Sequence, residues 1–209
     1  QSAAGRTIMT TEPKFIPNEA VEVALQDNAS FRVRLIDCVG YIVPDALGYI
    51  ENDQPRMVRT PWFEEPVPFN MAAEVGTQKV IREHSTIGLV ITTDGSIGEI
   101  PREGYLEAEE RVIRELQEMN KPFVVLLNSA APRAAETTEL CGAMREKYGV
   151  PVLPVDCMNL TEKTVRKILE NILFEFPIRE IGVKMPPWIS FLEEDHPIRR
   201  AVIDDLCGA

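Results

Sequence analysis

The chain has 209 residues, of which 44% are apolar and 26% charged, and its formal net charge is −11. Such a composition is typical of a folded domain with one good core, and the acidic balance argues against nucleic acid or an anionic bilayer as the main partner. No stretch approaches the roughly 20 apolar residues of a membrane span, and four scattered cysteines with two histidines argue against a disulfide framework, a zinc site or a histidine-based triad.

The first 18 residues lack hydrophobic periodicity and predict a loop that contains Thr10 and Thr11. There is no apolar signal-peptide core, and because the chain starts with Gln in a polar segment, we expect an upstream part of the protein to precede it. Residues 21–25 and 31–38 then alternate between apolar and polar side chains around an Asp-Asn turn signal. This pattern predicts an antiparallel hairpin.

The second strand of this hairpin ends in Leu35-Ile36-Asp37-Cys38-Val39-Gly40. An apolar strand followed by Asp-x-x-Gly is typical of P-loop nucleotide hydrolases. In these enzymes the Asp holds Mg²⁺, usually through a water, and the Gly lets a backbone N–H approach the terminal phosphate. A simple turn at a strand end has the same pattern, so the pattern alone leaves both interpretations open.

Strands and helices alternate after an irregular, proline-rich segment at residues 41–68. Helical spacing predicts helices from about 69 to 84, around 106–116 (with only Glu109 interrupting the apolar stripe), over 135–148 and after a capping Thr161. Apolar runs predict buried strands at 87–91, 123–127 and 150–155, and the prolines of the last place it at a sheet edge. The alternation predicts an α/β fold: a mostly parallel sheet with helices on both faces.

Two features concern the extent of this fold. Pro186-Pro187 predicts a boundary, with an NTPase-like domain at 1–184 and the start of a following helical or middle domain at 185–209. The phosphate-binding pattern G-x-x-x-x-G-K-[ST] does not occur in the chain. Without that strand and loop the sheet would have a gap between its halves, so either another piece completes it or the strand order differs.

Several specific strings carry a resemblance to a known family. They are Gln1-Ser2-Ala3-Ala4-Gly5-Arg6-Thr7-Ile8-Met9-Thr10-Thr11-Glu12-Pro13-Lys14-Phe15, Asp37-Cys38-Val39-Gly40-Tyr41, Thr60-Pro61-Trp62-Phe63-Glu64-Glu65-Pro66, His84-Ser85-Thr86-Ile87-Gly88 and Val90-Ile91-Thr92-Thr93-Asp94-Gly95. In these strings, and along essentially its whole length, the chain resembles the N-terminal ATPase domain of the stage IV sporulation protein A family, the spore-coat morphogenetic ATPases of endospore-forming bacteria.

This resemblance implies a P-loop NTPase fold related to translation-factor-type GTPases, with the first strand and the Walker A loop missing from this chain. It implies hydrolysis of ATP with Mg²⁺ in the full-length protein, and polymerisation into the basement layer of the spore coat. The expected location is the cytoplasmic, mother-cell side of the outer forespore membrane. The expected partners are further copies of the protein, a small amphipathic membrane-anchoring peptide and other coat morphogenetic proteins, with only indirect contact to the membrane.

The resemblance also assigns roles to residues. Thr10 and Thr11 match the sensor threonines of the first switch loop, Asp37 matches the magnesium-holding Asp with Thr11 as a further ligand, and Gly40 matches the phosphate-side glycine. Tyr41 stands where many GTPases place a water-orienting Gln. A phenol cannot orient water in the same way, so another group must do so.

The string Asn128-Ser129-Ala130-Ala131 occupies the base-reading position. GTPases usually have Asn-Lys-x-Asp there, and the Asp accepts two hydrogen bonds from guanine, so Ala131 disfavours guanine and suits adenine. We predict that Asn128 contacts the base, the alternative being an Asn that satisfies the backbone of its own turn, and that Asp156 lines the base pocket. For Asp94-Gly95, at another strand end, turn chemistry is the favoured interpretation.

Two alternatives to an ATPase stay open at this point: a structural assembly module that does not hydrolyse nucleotide, and a GTPase. For this chain by itself we expect weak or no nucleotide binding and no activity, because the phosphate-cradling loop is absent from the sequence.

Overall fold

A computed structural model of the chain describes residues 14–24, 30–43, 46, 49–51, 54–176, 186–193 and 195–207. The chain forms two compact units, Gln1–Phe176 and Pro177–Ala209. Within the described ranges, no helix has the length and apolar character that crossing a bilayer requires.

The first unit begins with an antiparallel hairpin of β1 (Lys14–Ala24) and β2 (Ser30–Asp37). The predicted hairpin is confirmed, but the prediction of a loop up to residue 18 is wrong, since β1 already starts at Lys14. The start was not predicted because a proline, Pro17, argues against a strand. The strand accommodates the proline because its register with β2 shifts between Ile16 and Val21, which is a position where a missing N–H donor is tolerated.

Short elements and one helix follow the hairpin. Two-residue strands pair within the predicted irregular segment: β3 (Ile50–Glu51) with β4 (Gln54–Pro55), and β5 (Met57–Val58) with β6 (Val67–Pro68). Helix α1 (Phe69–Lys79) buries Phe69, Ala72 and Ala73 and continues as a π-helical turn to His84. The predicted helix from about 69 to 84 is therefore confirmed.

The centre of the first unit is a three-stranded parallel sheet in the order β7-β8-β9. The strands are β7 (Gly88–Thr93), β8 (Phe123–Asn128) and β9 (Val152–Val155). Residues 123–127 of β8 are all buried because both faces of this strand are covered. The expected edge position of β9 is confirmed.

Helices cover both faces of this sheet, as predicted. Helix α2 (Glu103–Glu118) and α3 (Ala135–Tyr148) pack on the face of Val125 and Leu127, and α4 (Glu162–Phe174) packs on the face of Val124 and Leu126. Successive strand residues point to opposite faces, which explains the division. The hairpin contributes Val23, Phe31 and Val33 to the α4 side, but it shares no ladder with the parallel sheet. The described strands therefore do not form one continuous sheet.

The described residues of the second unit are 186–193 and 195–207, and the predicted boundary after residue 184 stays a prediction. The second unit contains a 3₁₀ turn at Pro187–Phe191 and helix α5 (Pro197–Cys207). Pro187 occupies the first turn of its helical segment, where the missing N–H has no intrahelical partner to lose.

Helix α4 provides a test of local sequence control. The Thr161 hydroxyl oxygen accepts a hydrogen bond from the Thr164 backbone N–H at 3.2 Å. We expect Thr161→Ala to lower the free energy of unfolding by about 1 kcal/mol, because one N-terminal donor of the helix loses its partner. Urea denaturation measures this. The control is Thr161→Ser, which keeps the hydroxyl, and equal losses for both variants would contradict the capping role.

Candidate functional site

The three parallel strands end at one edge of the sheet, and three loops leave that edge together. Thr93 lies opposite Asn128, and Asn128 lies opposite Val155. Ligands of open α/β sheets bind outside the carboxyl ends of the strands. We call this edge, with the loops 94–96, 129–131 and 156–159, the strand-end site.

The structure brings two of the predicted residues together here. Asn128 ends β8 and Asp156 follows β9, and the Asn128 Oδ1 atom accepts a hydrogen bond from the backbone N–H of Cys157 at 2.9 Å. Asn128 therefore joins its own strand end to the neighbouring loop. The side chain thus satisfies a backbone N–H of the neighbouring loop and not one of its own turn. The sequence does not reveal this partner.

Buried hydroxyl groups hold the loop after β8 in place. Ser129 is fully buried, and its Oγ atom accepts a hydrogen bond from the Ala131 backbone N–H at 3.0 Å. The Thr137 hydroxyl, near the start of α3, lies 3.3 Å from the Ser129 hydroxyl and donates to the Ala131 carbonyl at 3.1 Å. The backbone at residue 131 is thus held on both sides, while its exposed side chain is a methyl group.

Asp94 builds the loop after β7. Its Oδ1 atom accepts hydrogen bonds from the Ser96 backbone N–H at 2.9 Å and the Ser96 hydroxyl at 2.5 Å. Burial acts to raise the pKa of Asp94, but hydrogen bonding from Ser129 and Ser96 outweighs it and lowers that pKa. The Ser96 hydroxyl in turn accepts from the Ala130 backbone N–H at 2.9 Å, which joins the β7 and β8 loops.

Asp156 builds the loop after β9. Its Oδ1 atom accepts hydrogen bonds from the backbone N–H groups of Met158 at 2.9 Å and Asn159 at 3.2 Å, and its Oδ2 atom accepts from the Asn159 side chain at 2.8 Å. The Asn159 side chain is the main cause of a lowered pKa at Asp156. Both oxygens of this carboxylate therefore hold its own loop, which favours a positioning role over direct contact with a base.

A buried ion pair holds the end of β7. The Arg102 guanidinium makes two hydrogen bonds to the Glu109 carboxylate, at 2.5 and 2.7 Å, and Glu109 is 4% exposed. Arg102 also donates to the Thr92 hydroxyl at 2.9 Å and the Thr93 carbonyl at 3.1 Å, and the Tyr148 hydroxyl donates to Glu109 at 2.7 Å. Burial acts to raise the pKa of Glu109, but these partners, Arg102 first, lower it.

The turn after Asp94 lies close to the backbone of Arg102 and requires glycine at residue 95. Gly95 has φ +86°, and a Cβ atom placed there would lie 2.8 Å from the backbone nitrogen of Arg102. A side chain is therefore excluded both by conformation and by space. The favoured interpretation of Asp94-Gly95 as turn chemistry agrees with this geometry.

Two further predicted residues, Asp37 and Gly40, belong to the hairpin and the turn that follows it. Asp37 is the exposed last residue of β2, opposite Lys14 in the hairpin's own sheet. Gly40, three residues on, has φ +76° with no atom within 4 Å of an added Cβ, so its conformation and not its space requires glycine. Thr10 and Thr11 lie outside the described residues. Their roles stay predictions.

Sequence reasoning missed the polar groups that fix these loops. Arg102 and Thr137 belong to no sequence motif, and the base-reading string that contains Ser129 does not indicate that its hydroxyl holds the loop. One signal was present, because Glu109 interrupts an otherwise apolar stripe and a buried carboxylate requires a cationic partner. The sequence does not say that the partner is Arg102.

Comparisons with known proteins agree with the resemblance. Residues 1–177 match a family model described as Stage IV sporulation protein A, ATPase domain. The chain is 53% identical over 201 residues to Stage IV sporulation protein A of Bacillus anthracis and to that of Bacillus subtilis (strain 168), covering 96% of this chain and 41% of each relative. It is 48% identical over 206 residues to that of Clostridioides difficile (strain 630), covering 99% and 42%. The chain thus spans about two fifths of the length of these relatives.

The lowered pKa of Glu109 predicts a pH dependence of stability. Its folded pKa lies below the ordinary value of 4.5, so its ionised form adds stability above that value and loses this contribution as the pH falls through the folded pKa. We expect Glu109→Gln to destabilise the protein at pH 7, and the difference from wild type to shrink as the pH falls below 4.5.

Denaturant unfolding between pH 7 and pH 3 measures this difference. The matched control is Glu110→Gln on the same helix, whose exposed pair with Lys147 contributes at most about 1 kcal/mol. A Glu109→Gln penalty that does not change with pH would argue against the buried carboxylate as its source.

Proposed function

Because the chain belongs to the stage IV sporulation protein A family and matches its ATPase domain, we propose that it is part of an ATP-hydrolysing protein that self-assembles into the basement layer of the bacterial spore coat. The family and its relatives support a role in sporulation. The proposal adds three steps: the identity of the nucleotide, the use of Mg²⁺, and the assembly.

The choice of ATP rests on one observation, the absence of a carboxylate at residue 131. The two carboxylates of the strand-end site, Asp94 and Asp156, are each engaged by their own loops. At Ala131 only a methyl group faces solvent, on a backbone fixed by Ser129. Guanine presents two adjacent N–H donors that would stay unpaired against such a loop, and unpaired donors cost binding free energy. Adenine does not present that pair of donors.

The magnesium site of the proposal centres on Asp37. Among the described residues, no three His, Cys, Asp or Glu side chains lie close enough to hold a metal ion by themselves. Mg²⁺ usually binds to one or two carboxylates together with phosphate oxygens and waters, and an exposed Asp37 at a strand end fits that mode. With Thr11 as a second ligand, Thr10 beside it and the Gly40 N–H at the terminal phosphate, the ion would neutralise charge that develops during phosphoryl transfer.

Assembly and location belong to the same proposal. The partners would be further copies of the protein, a small amphipathic peptide that anchors the layer to the membrane, and other coat proteins. The layer would form in the mother-cell cytoplasm at the forespore surface. The acidic charge of −11 fits partners other than nucleic acid and makes a peptide-mediated link to the membrane more favourable than direct binding to anionic lipid.

A substitution at residue 131 tests the proposed preference for ATP over GTP. We expect Ala131→Asp in the full-length protein to raise the affinity for GTP relative to ATP by at least about tenfold, because a carboxylate can accept both guanine N–H groups. Competitive binding with labelled nucleotides measures the ratio. The control is Ala131→Asn, whose amide nitrogen cannot accept a hydrogen bond. Identical ratios in both variants would show that residue 131 does not face the base.

A substitution of Asp37 tests whether the full-length protein hydrolyses ATP with the help of this carboxylate. We expect Asp37→Ala in the full-length protein to lower ATP hydrolysis on the order of a hundredfold, the loss typical of removing one preorganised electrostatic group. Thermal unfolding should be unchanged because Asp37 is exposed. Phosphate release measures the rate, with the exposed Glu118→Ala as a control. Nucleotide binding without hydrolysis in the wild type would favour a structural assembly module, and a preference for GTP would favour a GTPase.

A further inference from the structure

Tyr41, the residue directly after Gly40, is held by polar contacts away from the strand-end site. Its hydroxyl donates a hydrogen bond to the Glu115 carboxylate. Its ring lies against the Arg111 guanidinium, with 4.3 Å between the guanidinium carbon and the ring centroid. A cation over an aromatic face at this distance is attractive. Both partners lie on α2.

Arg111 and Glu115 connect Tyr41 to two helices. The Arg111 Nε atom lies 3.3 Å from a Glu115 oxygen, one helical turn away, and the guanidinium also pairs with Glu74 of α1. The turn at residues 37–41 is therefore tied to α1 and α2 at the same point.

Both helices provide fixed attachment points. Helix α2 buries Ile113 and Leu116 against the parallel sheet, and α1 buries Phe69, Ala72 and Ala73. The polar contacts of Tyr41 are less buried. The side chains of Arg111 and Glu74 are 36% and 41% exposed, and a cavity of about 290 Å³ lies beside them. The exposed pair of Arg111 and Glu74 contributes little to global stability, whereas Glu115, which accepts the Tyr41 hydrogen bond, is 18% exposed. Together these contacts determine where the turn lies.

The Tyr41 hydroxyl acts as a hydrogen-bond donor to Glu115. Burial, followed by the Glu115 carboxylate, raises the pKa of Tyr41, so the phenol stays protonated and acts as a donor. The hydroxyl proton points to Glu115 and the ring lies against Arg111, so the side chain faces α2. This orientation favours a role in holding the turn over the role of the water-orienting Gln that many GTPases carry at this point.

We propose that Tyr41, Arg111 and Glu115 are positioning residues that hold the turn of Asp37 and Gly40 in the conformation required for nucleotide turnover. The inference rests on the proposed ATPase function. Displacing a catalytic group by about 1 Å can cost about a hundredfold in rate, so a tether one residue from Gly40 affects the rate without touching the nucleotide.

The test measures steady-state ATP hydrolysis and thermal unfolding of the full-length protein. Tyr41→Phe keeps the ring beside Arg111 and removes the hydrogen bond to Glu115, and Glu115→Gln keeps an acceptor oxygen and removes the charge. The matched control is Tyr105→Phe, a phenol on α2 that is not part of these contacts. We expect Tyr41→Phe to lower kcat at least about tenfold, with KM for ATP within about threefold and no shift in Tm.

The double variant separates a single unit from independent effects. If the three side chains act together, Tyr41→Phe combined with Glu115→Gln lowers kcat no further than the stronger single variant. A kcat for Tyr41→Phe within twofold of wild type, an increase in kcat, or a loss explained by a lowered Tm overturns the inference while leaving the ATPase proposal intact. A wild-type protein without ATP hydrolysis overturns both.

Discussion

The buried ion pair between Arg102 and Glu109 is the contact on which the arrangement of the strand-end loops depends. It is enclosed by α2, α3 and the end of β7, with the Tyr148 hydroxyl as a third partner. A carboxylate this buried is tolerated only with a paired cation, and removing one partner of such a pair typically costs about 3–5 kcal/mol. The same guanidinium binds Thr92 and Thr93, so the condition that keeps Glu109 ionised also fixes where the loop after β7 begins.

The loops after β7 and β8 are connected by a series of hydrogen bonds. Asp94 holds Ser96, Ser96 holds the backbone of Ala130, and Ser129 with Thr137 holds Ala131. The carboxylates of Asp94 and Asp156 both hold the loops in which they lie. The discrimination against guanine that we propose rests on residue 131, whose side chain is a methyl group.

The sequence predicts the regular elements well and the loop contacts poorly, for physical reasons. Periodicity predicts the sheet strands and helices α1 to α4 because burial of one face repeats along the chain. The start of β1 is missed because Pro17 contradicts a strand unless a register shift accommodates it. The loop contacts of Asn128 and Asp156 cannot be predicted from the sequence for a different reason, and their contact with a base stays a prediction. An amide or carboxylate can bind a ligand or a backbone N–H equally well, and only the fold decides which group is near.

Helix α2 links the two parts of the proposed nucleotide site. Glu109 points to the buried ion pair that fixes the end of β7, and Arg111 and Glu115 hold the turn of Asp37 and Gly40 through Tyr41. At about 100° per residue, position 111 lies roughly 160° and position 115 roughly 120° around the helix from 109, so different faces of one rigid element contact the two loops. The hairpin shares no ladder with the parallel sheet in the described strands, and the relative placement of turn and sheet edge therefore depends on side-chain contacts, both the apolar packing of Phe31 and Val33 on the α4 side and the contacts of Tyr41 with α2.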